Sequence, residues 1–219
     1  MATIKAFIFD LDGVIVDTAK YHFKAWQRLA KELDIHFDEQ DNEQLKGVSR
    51  KESLEKILEW GNKTISPEEK ESLMQRKNEW YLEYVDQMPA DEALPGAKEF
   101  LQAAKDLNLR IALGSASKNA VKILDKLQIT DQFEAIIDGN KTTKSKPSPQ
   151  VFLLGSEALN LDPADCVVFE DSVAGVEAAI KGDFKAVGVG DAKTLEKAHL
   201  IIEGLGDTTP AQVINQLNF

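Results

Sequence analysis

The chain has 219 residues, 43% of them hydrophobic, which is enough to bury the core of one substantial domain or of a domain that carries a smaller one. A formal net charge of -11 disfavours nucleic acid and anionic membrane surfaces as partners, and no apolar run reaches the roughly 18 residues of a membrane span. Cys166 is the single cysteine, so an intrachain disulfide is excluded, and its setting in CVVF predicts a buried strand thiol. We therefore expect a soluble, cytoplasmic protein.

The first predicted element is a short strand that two aspartates follow, in the stretch FIFDLDG. Phe7, Ile8 and Phe9 form a continuous apolar run, which is typical of a parallel strand that is covered on both faces. Asp10 and Asp12 come next, and burying their charge requires a compensating group. Side chains two apart on a strand face the same side, although the chain is expected to leave strand geometry near the second aspartate.

Helices are predicted over residues 18–88, because apolar residues recur there every three or four positions and no strand pattern interrupts them. Ser49 with Glu52 and Ser66 with Glu69 each predict a capping box, in which a serine and a glutamate satisfy the free amides at a helix start. After this region, helix and strand patterns alternate, which favours a doubly wound parallel α/β sheet. The further strands are predicted to begin at Arg110, Glu134, Cys166 and Lys185. The further helices are predicted over Ala97 to Leu107, Ala120 to Leu127, Pro149 to Leu159 and Ala174 to Lys181.

The long helical stretch predicts a discontinuous domain organisation. A compact crossover between parallel strands needs about a dozen residues or more, whereas roughly 70 helical residues separate the first strand from the second. Residues 1–17 and 89–219 are therefore predicted to form an α/β core, and residues 18–88 an inserted helical cap domain. The cap is expected beside the carboxyl end of the first strand, where open α/β sheets bind ligands.

Several predicted strands end in polar side chains that can carry chemistry. Asp10, Glu170 and Asp171 supply hard oxygen ligands at one sheet edge, which suits Mg²⁺. Such a metal would stabilise buried carboxylates and neutralise the oxygens of a substrate phosphate. Asp10 can then attack phosphorus and form an aspartyl phosphate, while Asp12 transfers a proton to or from the substrate oxygen.

A second group of residues predicts an anion site. Lys118 lies just before a predicted helix, where the positive end of the helix dipole disfavours a cation unless an anion binds there. Ser117 and Asn119 either cap this helix or contribute to the same anion site. Lys146, in SKPSP, likewise precedes a predicted helix start.

These motifs resemble those of the haloacid dehalogenase superfamily of phosphotransferases, both in kind and in order along the chain. DLDG is similar to the superfamily's nucleophile motif, SAS to its second motif, Lys146 to its third and EDS to its fourth. The longer stretches DLDGVIVDTAKYHFKAW, LKGVSR, RKN and SASKN are similar to those of the superfamily's sugar-phosphate mutases. The resemblance implies a Rossmann-like core with an all-helical cap, and an intramolecular phosphotransferase, that is, an isomerase.

The resemblance also implies a role for each matching residue. Asp10 would be the phosphorylated nucleophile and Asp12 the general acid/base, while Ser115 and Lys146 would hold the transferring phosphoryl group. The implied Mg²⁺ ligands are Asp10, the main-chain carbonyl of Asp12, Glu170 and Asp171. The implied substrate-binding residues, some of which would couple cap closure to catalysis, are Thr18, His22, Lys46, Gly47, Val48, Ser49, Arg50, Lys77, Ala116, Ser117, Lys118 and Asn119.

The implied reaction converts β-D-glucose 1-phosphate to glucose 6-phosphate through β-glucose 1,6-bisphosphate, which is both intermediate and activator. Small sugar phosphates would be the partners of a monomeric enzyme. The main alternative is a sugar-phosphate phosphatase of the same superfamily, which Arg50 and SASKN disfavour because they offer a second phosphate site; another β-hexose 1-phosphate is a further alternative. A response-regulator receiver would instead carry adjacent acidic residues at the first strand, whereas Leu11 separates Asp10 from Asp12 here.

Overall fold

A computed structural model describes residues 4–45 and 48–217 of the chain. Within these residues, the strands are Ala6–Phe9 (β1), Arg110–Gly114 (β2), Ala135–Ile137 (β3), Cys166–Glu170 (β4), Lys185–Val189 (β5) and Leu200–Ile202 (β6). The α-helices are Ala19–Glu32 (α1), Glu39–Glu43 (α2), Arg50–Trp60 (α3), Pro67–Asp86 (α4), Ala97–Asp106 (α5), Ala120–Leu127 (α6), Gln150–Ala158 (α7), Val173–Lys181 (α8) and Pro210–Leu217 (α9). No helix in the described part of the chain combines the length and apolar character needed to cross a bilayer.

The strands form one parallel sheet in the order β3-β2-β1-β4-β5-β6. From β1 to β3, each successive strand is added on one side of the sheet, and from β4 to β6 each is added on the other side. This is the doubly wound arrangement that the sequence predicts. The point of reversal lies between β1 and β4, and ligands of such sheets bind in the crevice at the carboxyl ends of these strands. The fold-class prediction is confirmed.

The side chains of β1 alternate between two apolar layers. Phe7 and Phe9 lie on one face, in ring contact with Phe169 of β4 and Phe100 of α5. Ala6 and Ile8 lie on the other, in a second cluster beneath α7 and α8. Every residue of β1 is buried, as its continuous apolar run predicts.

Helices α1 to α4 follow β1 and precede α5, so they form an insertion between the first two strands of the sheet. At the start of α4, Ser66 and Glu69 make both halves of the predicted capping box. At the start of α3, the hydroxyl of Ser49 accepts a hydrogen bond from the amide of Glu52, but the carboxylate of Glu52 accepts from that hydroxyl rather than from the backbone. The prediction of a reciprocal box was therefore wrong at this helix.

Two neighbouring chain segments join the insertion to the sheet. Val16, on the outgoing segment, forms isolated β-bridges with Asp12 and with Ala93 on the returning segment. The amide of Leu94 also donates to the carbonyl of Ile15, at 2.9 Å. The two segments that join the insertion to the sheet therefore lie side by side, next to Asp12.

The C-terminal part of the chain adds structure that the sequence did not predict. Strand β6 extends the sheet at its edge, and α9 buries Val213 and Leu217. Strand β6 has only three residues, which is too short to give a recognisable alternation. Cys166 is buried at the start of β4 as predicted, and burial raises the pKa of its thiol to about 12.

Candidate active site

The site begins with an ion-pair network at the carboxyl ends of β1 and β4. Lys146, which precedes α7, places its Nζ 2.6 Å from Oδ1 of Asp10 and 2.8 Å from Oε2 of Glu170. Burial alone would lower the pKa of Lys146, but the two carboxylates raise it above the usual lysine value. Burial raises the pKa of Asp10, and Lys146 opposes that rise. One charged lysine thus compensates two buried acidic side chains.

Asp171 completes what we call the carboxylate cluster, defined as Asp10, Glu170 and Asp171. One oxygen from each of them lies within 4.8 Å of the others. Ser172 orients Glu170, because its amide and hydroxyl donate to Oε1 at 3.1 and 2.6 Å. The cluster gathers three carboxylates, and carboxylate oxygens are the hard, negatively charged donors that Mg²⁺ prefers. The residues present therefore fit this metal.

Gly13 allows the chain to pass Asp171 closely. Its φ of +78° lies in the left-handed region, and a Cβ at this position would come within 2.0 Å of Oδ2 of Asp171. Only glycine adopts this conformation without strain and leaves the carboxylate in place. The glycine of DLDG is therefore required by backbone geometry and by the carboxylate cluster.

Replacing Gly13 with alanine is expected to cost about 1–2 kcal/mol of folding free energy from the positive φ alone, and to displace Asp171 in addition. Urea unfolding and Mg²⁺ titration calorimetry measure the two effects. Gly190→Ala is the matched control, because Gly190 also has a positive φ, of +120°, but no atom lies within 4 Å of its added Cβ. Equal Mg²⁺ affinity in the two variants would contradict the expectation.

Asp12 lies beside the carboxylate cluster in a different environment. Its carboxylate accepts a short hydrogen bond from the hydroxyl of Thr18, which in turn accepts from the buried hydroxyl of Tyr81 at 3.3 Å. Burial raises the pKa of Asp12 to about 6, although the bond from Thr18 opposes the rise. A carboxyl group that titrates near neutrality can both donate and accept a proton under ordinary conditions.

The loop after β2 contributes hydroxyl and amide groups to the same sheet edge. Ser115 is buried, its amide donates to the carbonyl of Ile137, and its hydroxyl accepts from the amide of Ser117 at 3.1 Å. The hydroxyl of Ser117 accepts in turn from the amide of Asn119. The side chain of Asn119 makes no capping bond at the start of α6, so it is free for another partner.

That partner is Asn78 of α4. Its Oδ1 accepts from Nδ2 of Asn119 at 2.9 Å and from Nη2 of Arg50, the first residue of α3, at 2.7 Å. We call these three residues the amide–arginine cluster. Burial lowers the pKa of Arg50, which means that its charge is costly at this position. The cluster joins the insertion to the sheet across the cleft.

A pair of basic groups, the buried Lys77 and the partly buried His22, lies in the insertion. Nζ of Lys77 is 2.7 Å from Nδ1 of His22 and lies over the rings of Trp26 and Tyr81. Burial lowers the pKa of His22, and the charge of Lys77 lowers it further. Burial likewise lowers the pKa of Lys77, and Arg50 adds to this effect. A neutral histidine that accepts from the lysine satisfies both groups.

One cleft of about 1600 Å³ brings most of the sequence-predicted residues together. It is lined by Asp10, Asp12, His22, Val48, Ser49, Arg50, Lys77, Ser115, Ala116, Ser117, Lys118, Asn119, Lys146 and Asp171. Thr18 and Glu170 lie behind the lining and contact it through Asp12 and Lys146. Lys46 and Gly47 lie outside the described residues. Asn78 also lines the cleft, and the sequence analysis did not single it out, because a neutral helical asparagine carries no signal of its own.

Comparison with known proteins identifies the class. A family model described as haloacid dehalogenase-like hydrolase matches residues 4–183. The chain belongs to this family, as its four motifs predicted.

Relatives of this chain include mutases and phosphatases. The β-phosphoglucomutase of Bacillus subtilis (strain 168) is 44% identical over 208 residues, which cover 94% of this chain and 92% of that protein. The crystal structure of β-phosphoglucomutase from Clostridium difficile matches with a TM-score of 0.96 at 42% identity, over 99% of this chain and 98% of that one. A phosphorylated carbohydrates phosphatase of Thermotoga maritima is 29% identical over 98% of both chains.

Proposed function

We propose that this protein is a β-phosphoglucomutase, which interconverts β-D-glucose 1-phosphate and glucose 6-phosphate. The observation that carries the proposal is that one cleft contains two separate groups suited to phosphate: Asp10 with Lys146 at one place and Arg50 with Asn119 at another. A mutase must hold a sugar that carries a phosphate at each end, whereas a phosphatase needs only the first group. The identity to two β-phosphoglucomutases supports the same activity.

Each residue at the sheet edge has a chemical task in this reaction. Asp10 attacks the phosphorus of a phosphorylated donor and forms an aspartyl phosphate, while Ser115 and Lys146 bind the oxygens of the transferring group. Asp12 takes the proton from the sugar hydroxyl as that hydroxyl attacks the aspartyl phosphate. It gives the proton to the sugar oxygen that leaves when Asp10 next attacks the bisphosphate. The resulting β-glucose 1,6-bisphosphate turns around, and its other phosphate returns to Asp10.

The carboxylate cluster would hold Mg²⁺ with the main-chain carbonyl of Asp12. When bound, the metal neutralises charge on the carboxylates and on the transferring phosphate. Because Lys146 already contacts two of the three carboxylates, it keeps Asp10 oriented toward the cleft.

Residues 18–88 would act as a cap domain whose closure over residues 1–17 and 89–219 excludes water. Water in the open cleft hydrolyses an aspartyl phosphate, so a mutase needs closure more than a phosphatase does. His22 and Lys77 would contact the sugar from the cap, and Arg50, Ser117, Lys118 and Asn119 would bind the phosphate that is not reacting. One chain supplies all these residues, which supports catalysis by a monomer. The enzyme would act in the cytoplasm.

A coupled assay tests the proposal. The protein is mixed with β-glucose 1-phosphate, Mg²⁺ and a catalytic amount of β-glucose 1,6-bisphosphate, and both glucose 6-phosphate and free phosphate are recorded. Rapid formation of glucose 6-phosphate with little free phosphate is expected. Free phosphate as the main product would contradict the mutase and favour a sugar-phosphate phosphatase.

Asp12→Asn is expected to lower mutase turnover by about 10²- to 10⁴-fold, because the variant cannot transfer the proton. Acid and base steps alternate in the cycle, so turnover of the unaltered protein should be greatest near the pKa of Asp12, about 6, and should fall on either side. The variant should lack this dependence. Phosphorylation of Asp10 by acetyl phosphate, whose leaving group needs no proton, should persist, and its loss would argue that Asp12 has a different role.

A further inference from the structure

The amide–arginine cluster has an unusual hydrogen-bond arrangement. Arg50 carries only donors, so the group of Asn78 that faces it must be the amide oxygen. Asn119 then has to donate its own NH₂ group to the same oxygen. Two donors from two different helix starts, those of α3 and α6, therefore converge on a single neutral acceptor.

Within residues 4–45 and 48–217, no carboxylate forms an ion pair with the half-buried side chain of Arg50. Arg50 and Asn119 stand at the starts of α3 and α6, where the helix dipoles add positive potential. The amide oxygen of Asn78 satisfies the donors without neutralising this potential, so the cluster keeps its attraction for an anion.

We propose that Asn78 is a positioning residue, whose amide oxygen holds Arg50 and Asn119 in the orientation that receives the non-reacting phosphate of the substrate. The inference rests on the proposed function, because it deepens the role of the same cleft. A phosphate dianion is a stronger acceptor than an amide oxygen, so it can take over the donors that Asn78 holds in place. The side chain of Asn78 thus lowers the cost of ordering a long arginine each time substrate binds.

The positioning role predicts that Asn78→Asp raises the KM more than Asn78→Ala does, whereas a purely structural role predicts the opposite order. Asn78→Ala frees both donors and should raise the KM for β-glucose 1,6-bisphosphate by about tenfold. Asn78→Asp keeps the shape of the side chain, but its carboxylate captures Arg50 and repels phosphate, so the KM should rise by about 100-fold or more. If Asn78 served only packing, the isosteric aspartate would be the milder change.

The experiment measures mutase kinetics of the Mg²⁺-saturated full chain and, separately, the rate at which acetyl phosphate phosphorylates Asp10. Acetyl phosphate has no second phosphate, so its rate should stay within about twofold of the unaltered protein in both variants. Gln75→Glu is the matched control, because it adds the same charge one turn earlier on α4, in the lining of the same cleft, where the exposed side chain of Gln75 donates a hydrogen bond to Glu79. A KM for Asn78→Asp equal to that of the control, or parallel losses with acetyl phosphate, would overturn the inference.

Binding of glucose 6-phosphate, measured by calorimetry, separates this inference from the proposed function. If the protein isomerises no sugar phosphate but binding weakens from the unaltered chain to Asn78→Ala and further to Asn78→Asp, the proposed function fails and the positioning role stands. If the protein is a mutase and the three chains bind alike, the positioning role alone fails.

Discussion

Asp10→Asn is expected to abolish phosphoenzyme formation and to lower mutase turnover by more than about 10⁴-fold, because the amide cannot attack phosphorus. The substitution keeps the shape of the side chain and removes one negative charge from the carboxylate cluster, so the fold should persist. Intact-mass measurement after incubation with acetyl phosphate and Mg²⁺ should detect one added phosphoryl group in the unaltered protein and none in the variant.

Asp191→Asn is the control for this experiment. Asp191 is an exposed residue of the same cleft. Its carboxylate accepts hydrogen bonds from Lys193 and Thr194, which do not belong to the carboxylate cluster. Its loss should leave both phosphorylation and turnover close to normal. A phosphoryl group that still accumulates on Asp10→Asn would assign the nucleophile to another side chain.

Lys146→Ala is expected to affect both stability and catalysis. Removing the lysine leaves Asp10 and Glu170 buried without their cation, and breaking a buried pair in this way costs about 3–5 kcal/mol. The stability deficit should shrink as pH falls, because the pKa of Asp10 is raised in the folded protein and protonation removes the uncompensated charge. Mutase turnover should also fall sharply, since the lysine proposed to bind the transferring phosphoryl group is removed.

Urea unfolding in the presence of a chelator measures this deficit without interference from bound metal. Lys144→Ala, in the same loop, is the matched control, because Lys144 is exposed and its removal should change the free energy of unfolding by less than about 0.5 kcal/mol. If both variants unfold at the same urea concentration, the ion-pair network contributes little to stability. A deficit for Lys146→Ala that grows toward low pH would contradict the assignment of the charges.

The sequence predicts those parts of the site that follow directly from strand ends. Asp10 directly follows one buried strand and Glu170 ends another. Because neighbouring parallel strands end at the same edge of the sheet, the sequence predicts that these two carboxylates lie close together. The position of Lys146 follows from its motif only through the family resemblance, because nothing local specifies that a loop lysine turns inward.

Long-range contacts of neutral or helical residues were less accessible to sequence reasoning. Asn78 contacts Arg50 and Asn119, which lie 28 and 41 residues away in the sequence, and no local sequence pattern predicts these contacts. The pairing of His22 with Lys77 likewise depends on how α1 packs against α4. Strand β6 was missed because its three residues give no clear periodicity.

The amide–arginine cluster and the carboxylate cluster have different origins in the chain. Asp10 directly follows β1 and Glu170 ends β4, whereas two of the three residues of the amide–arginine cluster, Arg50 and Asn78, lie on helices of the insertion. Under the proposed function, substitutions in α3 and α4 would alter which molecule is accepted and leave the residues of the phosphorylation step unchanged. A new substrate would then need changes in the insertion and no new catalytic apparatus at the sheet edge.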